Sequence, residues 1–478
     1  MRIVSLDLQG AKSFASMQHL PLERINLIYG ANSSGKSTII QCLLLLKQSA
    51  ATALGATPGV LDFRGPIVDL GGFRTFIHKH ATDGVLSVAV TVDRMRANPI
   101  PFFSGRVRLQ IDFAQPEGDP MPIVVGVSIT DQQGAIDFVR SHDGLRPRDA
   151  SSSRSLAERW RSVLATSPQR VRREMGEPTA QDLTWLARWA RTHGAETRGW
   201  TPVWSPSMVE NGKPGRPFGG SKDSVRNRIL QAFVFWWEYW IDNFSTELHS
   251  ALDDVVYVGP LREFPRRLAS ESSHGEGMGF RGERIVLHLS RNRELVDATN
   301  RAFATLDLPY TLEVNALKSD KMQDALGDVA VAVLTDRRTG VSVSPADVGF
   351  GVSQVLPVVV ALMGSTRSLI LVEQPEIHIH PRLQGNISDL IIDSVIKNGN
   401  RVLVETHSEH ILLRLQRRLR ERAKDGPTSH LTVNAVYVTS DAGLSSIELL
   451  PMAKDGALMS PWPGGFFDDR VHDLFASL

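Results

Sequence analysis

An α/β fold around a parallel sheet is what this sequence predicts, and three observations carry the expectation. A short buried strand, INLIYG, runs into a glycine-bearing loop and then a strongly apolar helix, TIIQCLLLL. From 350 to 420 apolar strands alternate with helical segments, the pattern of parallel strands joined by helical crossovers. A second buried strand, SLILVE, ends on the carboxylate Glu373, more than three hundred residues beyond the loop. The intervening sequence must then be mostly insertion and accessory lobe, so the expected molecule has two lobes.

Taken in order, the chain divides at 114, 222 and 424. In 1–114, RIVSLDL alternates as a strand does, ahead of INLIYG and the apolar helix. Residues 115–222 read as a largely helical insertion. SSSRSLAERWRSVLATSPQRVRREMGEP is rich in arginine and serine, and NGKPGRPFGGSKD is a Gly/Pro/Lys linker. In 223–424, apolar positions 229, 233, 237, 240, 244 and 248 recur at helical spacing. Trp236, Trp237 and Trp240 on that helix read as core or interface filling in preference to a platform for stacking bases. DVAVAVLTDRRTGVSVS reads as a hairpin. Residues 425–478 form a small C-terminal domain ending in SPWPGGFFDDR.

Composition removes several function classes. A chain of 478 residues with 42% hydrophobic and 22% charged residues has the make-up of a folded globular protein. Its net charge of +1 gives no general reason to bind nucleic acid. The single cysteine, Cys42, excludes an internal disulfide framework and a cysteine-based zinc site. MRIVSLDLQGAK lacks a signal-peptide pattern, and the longest apolar runs are too short to span a bilayer. A soluble cytoplasmic protein without a membrane partner is expected.

The loop itself, GANSSGKS at 30–37, fits G-x-x-x-x-G-K-[ST] in full. Gly30 and Gly35 let the backbone curl until its N–H groups face phosphate oxygens. Lys36 places a point charge on the β- and γ-phosphates, Ser37 offers a hydroxyl to Mg²⁺, and the helix N-terminus adds its positive dipole end. ATP and Mg²⁺ are therefore the expected ligands. Glu373 ends a rigid strand, which suits an acid that holds a metal water. Upstream, DVGFGVSQVLPVVVAL opens on Gly349 and Gly351, with Ser353 and Gln354 in reach of an anion at the helix start. Downstream, RVLVETHSEHILLRL sets Thr406, His407 and Ser408 at the end of another buried strand, where a histidine can bond a γ-phosphate or a water, or else cap a helix.

These pieces together resemble the ABC/SMC-type ATPase heads, and more closely the stand-alone prokaryotic AAA-type ATPases of the OLD-like group. The resemblance rests on LQGAKSF, IYGANSSGKSTIIQCLLLLKQ, FRGPIVDLGGF, YVGPLREFPRR, DVGFGVSQVLPVVV, LVEQPEIHIHP and VETHSEHILLRL, in that order. The closing WPGGFFDD is similar to a C-terminal domain of unknown function found in one branch of the group. The resemblance implies that Gly30–Thr38, with Asn32 and Ser33, is the Walker A loop and that Glu373 is the Walker B acid. It places 349–354, with Gly351 and Ser353, where ABC heads carry the signature that completes a partner subunit's ATP site. It makes His407 the switch histidine, and sets Lys12, Ser13 and Phe14 near the nucleotide. Gln374 falls on the position of the ABC catalytic glutamate. A glutamine orients water but cannot take its proton, so either Glu376 substitutes as the base or turnover is slow.

The leading functional reading is an ATP-gated switch that dimerises, or assembles further, through its ATP sites. It would control a separately encoded nuclease or toxin, as members of this group do in bacterial anti-phage defence. A DNA-transaction ATPase is the alternative, with RSLAERWRSVLATSPQRVRRE and the basic run near 414–424 as candidate DNA faces. Each basic run is read first as a solvated helix face. Only about seventy residues follow His407, too few for a Toprim domain, so no nuclease activity is expected in this chain.

Overall fold

The computed structural model describes residues 2–53, 61–93, 102–103, 105–119, 121–166, 178–198, 200–204, 221–264, 266–270, 277–317, 327–424 and 431–463. The linker NGKPGRPFGG, the arginine-rich stretch 167–177 and the tail beyond Pro463 lie outside the described residues. The chain forms two compact units, Met1–Pro21 with Gln41–Asp253, and Leu22–Ile40 with Asp254–Leu478.

The first unit is built on a seven-stranded antiparallel sheet. Its order is Gln18–Pro21, Arg2–Gln9, Val85–Asp93, Arg106–Ala114, Ile123–Asp131, Gly134–Ser141, Gly144–Pro147. Strict alternation makes the strands: in RVRLQIDFA, Val107, Leu109, Ile111 and Phe113 are buried while the residues between them are not. The last three strands lie between 123 and 147, within the stretch that reads as an insertion. Helices Ala150–Thr166, Ala180–Thr192 and Ser221–Asp253 follow. Thr179 starts the second of these through a capping box with Asp182. Trp237 and Trp240 are core residues, with Trp237 against Phe102 at 5.2 Å and Trp204 at 5.6 Å between ring centroids. Trp236 is half-buried, between the exposed Phe235 and Tyr239. Asp131 and Arg159 form a buried ion pair at 2.6 Å, and Arg159 also donates to the Gly134 carbonyl, which satisfies a charge that would be costly alone.

The second unit carries a six-stranded sheet in the order Val255–Val258, Leu369–Glu373, Arg401–Glu405, Ile25–Gly30, Val433–Asp441, Leu444–Pro451. The first five strands are parallel; the sixth returns as a hairpin. INLIYG and LILVE are buried at every position, as strands covered on both faces must be. The crossovers are the helices Pro381–Lys397 and Glu409–Lys424, and Phe350–Gly364 precedes the strand that ends at Glu373. A smaller sheet pairs Val329–Asp336 with Tyr310–Ala316, Ala269–Ser270 and Ser342–Val343, the last forming the expected hairpin. One apolar core joins the main sheet to these helices, and each fully buried Leu, Ile or Val in it contributes about 1.5–3 kcal/mol. Among the described residues no helix is long and apolar enough to cross a membrane.

Candidate functional site

Parallel register sets the site at the carboxyl ends of the central strands. Glu373 is paired with Glu405 and Glu405 with Ile28, so two strands end at one level and the phosphate-loop strand runs two residues further, to Gly30 beside Val438. Ligands of open α/β sheets bind in the crevice outside such ends. The strand Arg401–Glu405 stands between the phosphate-loop strand and the strand of Glu373.

The loop 30–37 curls back on itself through Gly30 (φ 147°), Ser33 (φ 62°) and Gly35 (φ 103°). Gly30 is required twice over, since a Cβ there would lie 2.4 Å from the Val438 carbonyl oxygen. Lys36, buried at the head of the helix Lys36–Ala53, donates through Nζ to the carbonyls of Gly30 at 2.9 Å and Ala31 at 2.7 Å. Burial lowers its pKa, against the opposing pull of Glu405. Asn32 and Ser33 are exposed at the loop tip, while Thr38 is buried and donates its N–H to Gly35 at 3.0 Å.

Facing the loop is a carboxylate that sequence reasoning passed over. Ser37 Oγ donates to Glu405, at 2.9 Å to Oε2 and 3.1 Å to Oε1. Burial raises the Glu405 pKa, with Ser37 and Lys36 acting in the opposite direction. Glu373, on the neighbouring strand, is pushed up to about 7, first by burial and then by the charge of Glu405. The signal was present in the sequence: RVLVE repeats the pattern of LILVE, four strand residues delivering a glutamate.

Two further side chains grip the Glu373 turn. Tyr257 donates its hydroxyl to Glu373 Oε1 at 2.7 Å, and Arg262 donates Nη2 to the Glu373 carbonyl at 2.7 Å and to the Gln374 carbonyl at 3.4 Å. Both come from the YVGPLREFPRR segment, to which no role was given from sequence. Gln374 itself is left-handed (φ 45°), half-buried, and donates its N–H to the Glu405 carbonyl at 2.7 Å. Glu376 accepts the His407 backbone N–H at 2.7 Å, its Oε2 is buried, and burial raises its pKa. The His407 ring is exposed and its pKa is lowered, by partial desolvation and then by Lys36, which keeps the imidazole neutral at pH 7.

The expected signature segment lies at the start of the helix Phe350–Gly364. Gly349 is its exposed N-cap residue, and Gly351 lies against the 374–380 loop, where an added Cβ would be 3.1 Å from the His378 carbonyl oxygen. Ser353 does not project from this start: it is 2% exposed and lines a pocket of about 210 Å³ with Gly282, Ile285, Leu356 and Pro357. Gly349 is thus exposed at this helix start, and Ser353 is buried. The sequence did not show this, because Ser353 and Gln354 are polar and read as exposed, whereas every residue from 352 to 362 is buried.

Taken together, the donor set fits a metal nucleotide. It has a loop curled by glycines of positive φ, a buried lysine, a hydroxyl at the helix head, and two carboxylates whose raised pKa values a divalent cation would reverse. Among the described residues no group of three or more His, Cys, Asp or Glu is arranged to hold a metal on protein ligands alone. Mg²⁺ sites that share phosphate oxygens need only one or two carboxylates.

Phosphate loop, parallel sheet and acidic strand one place removed define the class: an α/β P-loop NTPase fold, built to bind a nucleotide. The family described as "AAA domain, putative AbiEii toxin, Type IV TA system" matches residues 25–94 and 250–413, segments that hold the loop, Glu373, Gln374, Glu376, Glu405 and His407. No curated protein sequence matches the chain. Among solved structures it is similar to an SMC head bound to the C-winged helix domain of ScpA, at 13% identity over 95% of this chain and 99% of that one, with a TM-score of 0.42. It is also similar to the SMC head of Thermotoga maritima, at 11% identity over 95% and 100%, with a TM-score of 0.37. For the SMC head of Pyrococcus furiosus with an extended coiled coil, bound to the C-terminal domain of ScpA, identity is 11% over 94% and 96%, with a TM-score of 0.40.

Proposed function

We propose that this chain is an ATP-binding, slowly hydrolysing switch that associates through its ATP sites and controls a separately encoded effector in anti-phage defence. The observation that carries the nucleotide part is the junction of Ser37 with Glu405 at 2.9 Å, at the head of the phosphate-loop helix and beside Glu373. In this reading the loop N–H groups and Lys36 bind the triphosphate, while Ser37, Glu405 and Glu373 hold the metal side. Mg²⁺, when bound, supplies charge neutralisation between the phosphates. Gln374 orients water without accepting its proton, Glu376 is the nearby carboxylate able to accept one, and neutral His407 is a hydrogen-bonding partner for phosphate or water.

Association through Gly349 and Gly351 rests on the exposed helix start and on the sequence resemblance. The effector rests on the resemblance alone, and the matched family's description raises the alternative of a toxin activity in the chain itself. The DNA reading is weaker. Arg414 and Arg418 pair with Asp389, at 2.8 and 2.6 Å, and Arg417 and Arg418 each reach Glu421 at 2.7 Å. Three of the six Arg and Lys side chains on that helix are thus paired with acidic neighbours, which weakens it as a DNA face. Sizing of the purified protein with and without ATP–Mg²⁺ tests the proposal. ATP-dependent association with slow phosphate release is expected, and an unchanged profile at saturating nucleotide would count against the switch.

A further inference from the structure

We propose that Tyr257 and Arg262 are the positioning residues of the metal-side carboxylate, a clamp carried by one segment that fixes the Glu373 side chain and the backbone of the Glu373–Gln374 turn. The inference rests on the nucleotide-site reading above. Tyr257 lies on the strand Val255–Val258, in parallel register with Leu371, and reaches Glu373 Oε1 at 2.7 Å. Arg262, four residues beyond that strand, is 7% exposed and spends Nη2 on the two turn carbonyls, at 2.7 and 3.4 Å. Its Nε and Nη1 are buried without a hydrogen-bond partner among the described residues. A guanidinium buried in this way is retained at a cost; among the described residues its hydrogen bonds go to the turn carbonyls, while Glu376 and Glu373 act on it only through their charge. What those contacts fix is the one turn at which a left-handed residue, Gln374, follows the acid. Side chains that hydrogen-bond a metal-side carboxylate set its orientation, and their removal typically changes metal affinity or activity by about 10–100-fold.

Tyr257→Phe deletes one hydroxyl at nearly constant volume, and Arg262→Lys keeps the charge but not the fork. Both are to be compared with wild type by thermal melting, by equilibrium binding of a fluorescent ATP analogue without metal, and by phosphate release against Mg²⁺ concentration. The clamp predicts metal-free nucleotide affinity within about twofold of wild type, because the loop and Lys36 are untouched. It predicts kcat reduced about 10-fold or more and a several-fold rise in the Mg²⁺ needed for half-maximal rate. Wild-type kcat and Mg²⁺ dependence in Tyr257→Phe, with melting unchanged, would overturn the proposal. So would a loss in both variants that follows melting temperature alone. Failure of the wild-type protein to bind the nucleotide would instead overturn the underlying site reading.

Discussion

Changing Gln374 to glutamate asks whether turnover is limited by a missing base. The two side chains have the same shape, and the left-handed backbone and the N–H bond to the Glu405 carbonyl are unaffected by the exchange. A positioned base is worth roughly 10²–10⁴-fold, or about 3–5 kcal/mol of barrier. Against this, the new carboxylate enters a site where burial and Glu405 already hold Glu373 near 7. Repulsion from the neighbouring carboxylates opposes its ionisation, by on the order of 1–4 kcal/mol each for charges a few ångströms apart at effective dielectric constants of about 20–80. With Mg²⁺ bound much of that repulsion is neutralised, so the net expectation is a gain of roughly 10–100-fold. The gain should increase from pH 6.5 to 8.5, because the new group works only when deprotonated. Phosphate release at saturating ATP–Mg²⁺ across that range, beside Glu376→Gln, is the assay. A rate within about twofold of wild type would refute the missing-base argument. If Glu376→Gln then abolished turnover, Glu376 would be the base.

Two other expectations follow from geometry. Without metal, the folded protein holds a proton on Glu373 up to about pH 7, whereas the unfolded chain releases it near 4.5. Its stabilising contribution is thus complete below pH 4.5 and is lost as pH rises through about 7, by on the order of 3 kcal/mol. Urea unfolding of wild type minus Glu373→Gln across pH 4–8 should show that slope, and a difference that grows with pH would contradict it. Separately, Gly349→Arg should block ATP-dependent association without changing the melting temperature, since a side chain there meets nothing within 4 Å. Ser353→Arg should instead lower the melting temperature, because its site is buried; equal melting of the two variants would show this assignment of faces to be mistaken.

Much of the second unit was legible because its signals are local. A full phosphate-loop pattern between strand and helix needs no long-range information, and strands buried on both faces read as continuous apolar runs. Pairing across the chain was less accessible. That Glu405 stands opposite Glu373 is a matter of strand order, and that order also brings Tyr257 to the acid from 116 positions away. Ser353 was placed by motif spacing, but its helix is buried on all sides from residue 352 to 362, which motif spacing does not report. In the first unit, IVVGVSITD and GAIDFVRS alternate well enough to be strands, yet nothing in them announces that they extend a sheet begun at Arg2. A change in composition was the only boundary signal available, and composition does not report sheet membership.

Nucleotide binding by Lys36→Ala tests the central claim most directly. Among the described residues the Lys36 side chain is hydrogen-bonded to the carbonyls of its own loop, so its removal should leave the fold standing while taking away the charge that meets the β- and γ-phosphates. Calorimetric titration with ATP and Mg²⁺ should show binding to wild type and a loss of at least about tenfold in the variant, equivalent to about 1.4 kcal/mol. Equal affinity in a variant that melts like wild type would contradict the assignment of this loop as the nucleotide site.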